Sequence, residues 1–448
     1  MKTLVVGMEK SGLASVELLV KNGAEVWATD SKPIESLPAA AAVLSKLAVR
    51  FEPEASVPWG NFHRIVLSPG VPFDKPELHE PRALGASVVG EVELAAPYLE
   101  GRTIGITGSN GKTTTTALIG HILKLAGVPA QVGGNIGTAV SAMVATSRPN
   151  QWNVLELSSF QLETIRTFRA HVAVGLNVTQ NHLDRHHTFE NYVNAKGNLF
   201  RLQQAGDTAV LNAEDPNCVA FGELSEARKI WFSSVVAGGP GFYVANDAVW
   251  MGGAKLIDVA DVPIRGRHNL ENVMAAAAAA HVAGVPLTGI AAAVHTFQAV
   301  EHRLEFVRKV NGVDYYNDSK ATSVDATLKA LNSFESGLWV ILGGKDKGSD
   351  YTVLREPLAK KSKAALLIGS AASIIANHLN RAVPIVAADS LENAVKTAHE
   401  QSQPGDTVLL APACASFDQF KSYEHRGQTF KELVRGLKEF TDGPATQN

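Results

Sequence analysis

Residues 103–116 read Thr-Ile-Gly-Ile-Thr-Gly-Ser-Asn-Gly-Lys-Thr-Thr-Thr-Thr. An apolar strand runs into a glycine-rich turn, then into Lys112, Thr113 and a helix. Such a turn aims several backbone N–H groups at one point, and the helix N-terminus adds its positive end there. The pattern predicts a nucleoside triphosphate site in which Lys112 reaches the β/γ-phosphates and the Thr113 hydroxyl sits on Mg²⁺. Position 106 holds Ile where the strict phosphate-loop pattern has its first Gly, so the loop is a shorter variant. It lies well inside the chain, which means that another segment precedes the nucleotide site.

Working outward, 448 residues are too many for one ordinary core and imply several domains. A hydrophobic share of 45% and a charged share of 19% fit a soluble globular protein. A net charge of −3 provides no basic field for nucleic acid or an anionic membrane. Two cysteines, Cys218 and Cys414, argue against a disulfide framework and for a reducing compartment. The first residues read as a strand rather than a signal peptide. The Ala-rich run 273–294 contains His281, Gly284, Pro286 and Thr288, so it reads as a buried core helix rather than a membrane span. A cytoplasmic protein with no membrane span and no nucleic-acid partner is expected.

Strand and helix signals alternate throughout, as in parallel sheets covered by helices. Strands are expected at 4–7, 25–30, 64–70, 102–108, 153–157, 170–178, 207–212, 314–318, 338–344, 364–369 and 407–410. A helix is expected at 11–22, an Ala-rich one at 272–283, and a β-rich insert at 229–263.

Several constellations sit at predicted strand ends, where parallel sheets bind ligands. Glu156 closes an apolar run and reads as a Mg²⁺ ligand placed like a Walker B acid, against the alternative of a salt-bridged surface carboxylate. His182 and Asp184, in the polar stretch 177–187, are candidates for metal or phosphate, although the spacing matches no closed zinc site. His186 and His187 read as solvated. By its chemistry alone Lys196 is an ordinary surface lysine on a helix. Charged and amide groups cluster at 265–272, 301–305 and 317–322, each open between a solvated loop and a site. Arg303 suits transferring phosphoryl charge. The loops 343–348 and 411–420 end two late strands where small anions bind, and Cys414 reads as packing. The turn 7–12 is a dinucleotide fingerprint lacking its middle glycine, with Asp30 ending the next strand. It argues weakly for NAD and equally for a nucleotide diphosphate held another way.

Together these stretches resemble the Mur ligases, the ATP-dependent amide ligases of peptidoglycan precursor synthesis. The resemblance rests on Thr-Gly-Ser-Asn-Gly-Lys-Thr at 107–113, Gly-Gly-Asn-Ile-Gly at 133–137, Glu156, Asn-His-Leu-Asp at 181–184 and Lys196. It continues with Gly-Arg-His-Asn at 266–269, His-Arg-Leu-Glu at 302–305 and Asn-Asp-Ser-Lys-Ala-Thr at 317–322. Leu-Glu-Leu-Ser-Ser-Phe-Gln-Leu-Glu at 155–163 and Pro-Ala-Cys-Ala-Ser-Phe-Asp-Gln-Phe at 412–420 look most like the D-glutamate-adding member. The Asp-Asn-Pro-Arg motif of the diaminopimelate- or lysine-adding members is absent.

The resemblance implies three α/β domains. These are a Rossmann-like UDP-binding domain at 1–97, a central P-loop ATPase-like parallel sheet at 98–299, and a Rossmann-like amino-acid-binding domain at 300–448. It implies that ATP phosphorylates the carboxylate of UDP-N-acetylmuramoyl-L-alanine and that the D-glutamate amine attacks the acyl phosphate. A tetrahedral intermediate then expels phosphate. Lys112, Glu156, His182, Lys196 and His302 match catalytic positions. Gly108, Ser109, Asn110, Gly111, Lys112, Thr113, Thr114, Asn272, Arg303 and Asp318 match ATP contacts. Two Mg²⁺ ions are implied on Thr113, Glu156, His182 and a CO₂-derived carbamate on Lys196, which replaces the surface reading of that lysine. The UDP end would use Gly7, Lys10, Ser11, Asp30, Ser31, Lys32, Ser68 and Gly70, and the reactive end Asn135, Ser158 and His182. Lys320 also matches the substrate side. Thr322, Lys347, Ser416 and Tyr423 match D-glutamate contacts, with Tyr423 standing where an aromatic without a hydroxyl is usual. A monomer is expected, as is closure of the second and third segments on substrate. The rival readings are a folylpolyglutamate synthetase, a P-loop switch or motor with an appended Rossmann domain, and an NAD dehydrogenase.

Overall fold

The computed structural model describes residues 1–236, 238–298, 301–346 and 348–439, and their strands form three sheets. The first holds β1 (Lys2–Val6), β2 (Glu25–Thr29), β3 (Arg50–Phe51), β4 (Arg64–Leu67) and β5 (Ser87–Gly90). All its pairings are parallel and its order is β3-β2-β1-β4-β5. The chain leaves β1 in one direction to β2 and β3 and in the other to β4 and β5. This opens a crevice between the carboxyl ends of β1 and β4, the place where doubly wound sheets take ligands. The helix Lys10–Lys21 covers this sheet with Ala14, Val16, Leu18 and Leu19, and Gly23 at φ +74° follows its end.

The second sheet contains β6 (Arg102–Thr107), β7 (Ala130–Gly134), β8 (Trp152–Glu156), β9 (Val172–Gly175), β10 (Thr208–Asn212) and β11 (Arg228–Ser233). It continues through β12 (Phe242–Ala245), β13 (Ala248–Met251) and β14 (Ala254–Asp258), giving the order β14-β13-β12-β11-β10-β9-β6-β8-β7. Parallel pairing runs from β7 to β12, and β13 and β14 add an antiparallel meander where the β-rich insert was expected. Residues Val273 to Ala280 of the helix Arg267–Val282 are fully buried, so the Ala-rich run is a core helix. Among the described residues no helix is long and apolar enough to cross a membrane.

The third sheet contains β15 (Glu305–Val310), β16 (Val313–Asn317), β17 (Leu338–Gly343), β18 (Ser362–Ile368), β19 (Ile385–Asp389) and β20 (Thr407–Leu410). Its order is β15-β16-β20-β17-β18-β19, parallel except for the β15/β16 hairpin.

The chain packs as two compact units, Met1–Val262 with Leu270–Phe297, and Pro263–Asn269 with Gln298–Asn448. The first unit carries two sheets over a shared core. Val16, Leu19 and Leu94 from the first sheet's helices join Val140, Met143, Leu155 and Phe168 from the second in one buried cluster. Two carboxylates on the helix Glu91–Ala95 reinforce that seam. Glu93 accepts from the backbone N–H groups of Arg166, Thr167 and Phe168, and buried Glu91 accepts from the Ser141 N–H.

Candidate active site

Three adjacent strands, β8, β6 and β9, deliver their carboxyl ends to one place. The phosphate loop follows β6 and turns at Gly108 (φ +156°) and Gly111 (φ +85°) before the helix Lys112–Leu125. A Cβ on Gly111 would lie 2.2 Å from Asn272 Oδ1, so glycine is required there and Asn272 sits against the loop. The Thr115 hydroxyl also reaches Asn272 Oδ1 at 3.3 Å. The segment after β9 holds the loop in shape. The Asn110 N–H donates to Asn177 Oδ1 at 2.9 Å, and Ser109 Oγ contacts the Tyr192 hydroxyl and donates to the Thr179 carbonyl, both at 2.9 Å. The Ser109 side chain is thus committed to the frame, and the loop's backbone is what it offers to phosphate.

Two lysines converge on one carbonyl. Lys112 Nζ donates to the Gly108 oxygen at 2.8 Å and to the Ser109 oxygen at 3.1 Å, and Lys196 Nζ donates to the same Gly108 oxygen at 2.8 Å. Lys196 is 1% exposed, which corrects its reading as a surface lysine. The helix Phe189–Arg201 buries Tyr192, Ala195, Lys196, Leu199 and Phe200, so Lys196 stands in the apolar stripe. Its ammonium lies 4.6 Å from the Tyr192 ring centre. Burial, and then the neighbouring Lys112 charge, hold the Lys196 amine well below the ordinary lysine value.

Glu156 is 2% exposed and stands level with Ile106 on the loop's own strand, so the surface-carboxylate reading fails. Its Oε1 accepts from Asn135 Nδ2 at 2.9 Å, and its buried Oε2 has no partner among the described residues. An orphaned carboxylate oxygen beside a phosphate loop and the half-buried Thr113 fits Mg²⁺, which takes one or two protein ligands and keeps water and phosphate oxygens. Among the described residues no three His, Cys, Asp or Glu side chains gather as a metal cluster. Thr114 is buried behind the loop.

His182 adopts a left-handed backbone (φ +54°) and is exposed, with its ring edge-on to Phe160 at 5.0 Å and tilted to Tyr192 at 6.3 Å. The side chain of Asp184 lies outside the described residues. His186 is buried, which corrects its solvated reading. It ends the short helix Leu183–His186, its Nε2 bonds Ser159 Oγ at 2.9 Å, and its ring stacks on Phe160. His187 stays exposed beside Asp74. Ser158 caps the short helix Ser159–Leu162, its hydroxyl engaged with Gln161.

The crevice of the first sheet is a cavity of about 780 Å³, large enough for a nucleotide. Gly7, Lys10, Ser11, Asp30, Ser31, Lys32, Ser68 and Gly70 line it, and so does Asn135. Gly7 closes on Ser68, whose hydroxyl donates to its carbonyl at 2.7 Å, and a Cβ on Gly12 would meet the Gly7 oxygen at 1.7 Å. The Asp30 carboxylate accepts from the Met8 and Lys32 N–H groups, which shapes the turn. Asn135 therefore belongs to this cavity and to the Glu156 contact at once.

In the second unit, Asp318 directly follows β16. Burial raises its carboxyl to about 6 against the opposing pull of Arg303, and its Oδ1 accepts from the Leu304 N–H at 3.2 Å. Burial, helped by Arg303, pushes His268 down to about 4. His302 is buried with its Nδ1 facing Asn317 Nδ2 at 2.9 Å and its ring edge-on to Tyr423 at 6.3 Å, and burial lowers its pKa. The Lys320 ammonium lies 5.8 Å from the Tyr423 ring centre. Thr322 is half-buried, Ser416 is buried in the loop after β20, and Lys347 lies outside the described residues. Cys414 is buried as packing.

One residue of this end gave no motif. Arg426 is fully buried and donates to the carbonyls of Ser319 and Cys414 and to the Ser319 hydroxyl, with burial lowering it to about 10. No carboxylate among the described residues pairs with it. Its signal was its place with Phe430 and Val434 on the buried stripe of the helix Tyr423–Gly436.

Three family models match the chain in succession. They are the Mur ligase MurD-like N-terminal domain over residues 1–90, the Mur ligase middle domain over 106–280, and the Mur ligase glutamate ligase domain over 302–414. The UDP-N-acetylmuramoylalanine--D-glutamate ligase of Solibacter usitatus is 62% identical over 98% of this chain and 98% of its own. The protein of the same name from Geobacillus kaustophilus is 42% identical over 98% of each chain. Among solved structures, a pseudomurein peptide ligase type C from Methanothermus fervidus aligns with TM-score 0.61 at 17% identity, covering 98% of this chain and 100% of its own. MurF from Thermotoga maritima in complex with ADP aligns with TM-score 0.59 at 16% identity, covering 83% and 95%. At such identities the structures speak for the fold. Matched in all three segments and by relatives along nearly its whole length, the chain belongs to the Mur ligase family.

Proposed function

We propose that the chain is the ATP-dependent ligase that joins D-glutamate to UDP-N-acetylmuramoyl-L-alanine in peptidoglycan precursor synthesis. The identity of the acceptor follows the near-full-length relatives of that name. The geometric observation that carries the chemistry is Asn135, which lines the nucleotide-sized cavity and bonds Glu156 beside the phosphate loop. A substrate held by its nucleotide in the first crevice would present its far end at that junction, where ATP's terminal phosphate is expected.

The carboxylate of the L-alanyl group is a poor electrophile until its oxygen attacks the γ-phosphorus, which yields an acyl phosphate and ADP. Two anions must approach, so cations are needed at the meeting point. Lys112 is expected to turn from the loop carbonyls to the β/γ-phosphates, while the loop N–H groups and the positive helix end hold the same oxygens. Mg²⁺ on Thr113 and Glu156 would neutralise phosphate charge, and a second ion near His182 belongs to the same proposal. The D-glutamate amine then attacks the acyl carbon, and the tetrahedral intermediate expels phosphate.

Lys196 is suited to carbamylation. Only an uncharged amine attacks CO₂, forming the N–C bond and losing a proton, and its buried setting favours that uncharged form. Arg303, Asp318 and Asn272 are assigned to ATP, His302 to positioning within the second unit, and Thr322, Lys347, Ser416 and Tyr423 to D-glutamate. A monomer working in the cytoplasm completes the reading. The test is an acceptor screen. ADP release should require both UDP-N-acetylmuramoyl-L-alanine and D-glutamate. Release that instead needs a folate and L-glutamate, or no acceptor at all, would move the chain to a rival class.

A further inference from the structure

The two loops assigned above to the acceptor amino acid follow β17 and β20, which are neighbours in the third sheet. Backbone and side-chain contacts join them. Lys345 and Ala415 exchange backbone hydrogen bonds at 2.8 and 3.2 Å, forming one isolated antiparallel bridge. Behind that bridge lies Tyr351, fully buried, whose hydroxyl donates to Asp346 Oδ1 at 2.6 Å and touches Cys414 Sγ at 3.0 Å. Asp346 in turn accepts from the N–H groups of Gly348 at 3.0 Å and Ser349 at 3.3 Å, so its carboxylate closes the turn after β17. The Tyr351 N–H donates to His378 Nδ1 at 3.2 Å, which fixes the residue at its own backbone. Burial and the adjacent carboxylate keep the phenol protonated, so it remains a donor throughout the working pH range.

We propose that Tyr351 is a positioning residue for the acceptor: its hydroxyl sets the turn after β17 against the loop after β20 and so fixes the spacing that an acidic amino acid must span. This rests on the reading that those two loops hold the acceptor. A tyrosine present only to fill the core would need no hydroxyl, since a phenyl ring fills nearly the same volume. Here the hydroxyl touches Asp346 in the one loop and Cys414 in the other. A turn that can shift costs binding of the small substrate it grips, while ATP and the nucleotide-linked substrate are held by other elements.

The test is steady-state ligation by full-length wild type, Tyr351→Phe and Asp346→Asn, with each of the three substrates varied in turn. Tyr351→Phe should raise the KM for D-glutamate about tenfold, the effect of losing one buried hydrogen bond to a charged group. Its kcat and its KM values for ATP and UDP-N-acetylmuramoyl-L-alanine should stay within about twofold of wild type. Asp346→Asn should show the same split, and the double variant should be no worse than the poorer single one, because both act through one contact. An unchanged KM for D-glutamate in either single variant overturns the assignment, and so does an equal rise for all three substrates. If Tyr351→Phe does not fold, Asp346→Asn alone decides by the same split. Wild-type enzyme without D-glutamate-dependent turnover would overturn the ligase reading itself, a failure visible before any variant is made.

Discussion

Lys196 shows what a single residue's setting does to its chemistry. On a surface it would be one more solvated ammonium. Inside the apolar stripe of its helix it is desolvated, faces Lys112, and has its amine held well below the ordinary value. Lys196→Ala should therefore lower ligation by at least about a hundredfold, the scale of losing a preorganised charge at a reacting centre. Short carboxylic acids added to that variant should restore part of the rate by standing in for the lost carbamate oxygens. Unimpaired Lys196→Ala would end the assignment, and loss without any carboxylate rescue would leave only a structural amine. The sequence held this residue's burial in plain form. Tyr192, Ala195, Leu199 and Phe200 surround Lys196 at helical spacing, and a lysine inside such a stripe is either paired or functional. Arg426 was legible in the same way. His186 was not, because it stands on a four-residue helix too short to show a periodic stripe, and its partners Ser159 and Phe160 lie far off in sequence.

Elements were legible in proportion to how deeply they are buried. The strands anticipated from the sequence include β1, β6, β8 and β17, whose continuous apolar runs are covered on both faces. Five strands gave no usable signal: β3, β5, β7, β15 and β19. Each lies at an edge of its sheet or ends a short half-exposed run, so its pattern is weak. The phosphate loop was clearest of all, because its shape demands particular residues. Gly111→Ala would force a side chain into φ +85° and into Asn272, which lies 2.2 Å from the new Cβ. The expected outcome is a well-folded protein whose ADP release falls at least about a hundredfold, since displacing a reacting group by an ångström costs that much. Near-normal turnover would show that the loop has more freedom than its geometry allows. The seam helix Glu91–Ala95 yields a pH dependence. Burial raises Glu91 from the ordinary 4.5 to about 7. The folded state therefore binds more protons than the unfolded state between those values, and stability falls as pH rises through them, by about 3 kcal/mol in full. Glu91→Gln cannot ionise. Its urea midpoint should gain on wild type between pH 5 and pH 8, whereas a gap that does not change with pH would place the wild-type proton elsewhere.

At the scale of the whole molecule, three sheets do not make three independent cores. Each expected segment carries one sheet, but the first and second sheets share a buried cluster, and the helix Lys10–Lys21 packs against Val140–Met143. Sequence periodicity locates strands and helices but does not say which covering helices meet, so this fusion could not be read from it. The fusion suits the chemistry proposed above. A nucleotide cavity and a phosphate loop linked through Asn135 need a fixed separation, and a shared core supplies it. Residues buried in that cluster should thus belong to one cooperative transition. Leu19, 2% exposed on the first sheet's helix, tests this from the side away from ATP. Leu19→Ala should cost about 3 kcal/mol through the lost methylenes and the cavity left behind. Mg-ADP at a hundred times its dissociation constant should stabilise the same body by about 2.7 kcal/mol. Scanning calorimetry of the full chain should then show the variant lowering the very transition that the nucleotide raises, with the two shifts nearly cancelling when combined. If Leu19→Ala moved one transition and the nucleotide another, the seam would be a contact between separately folding domains, and Asn135 would bridge a joint that can open.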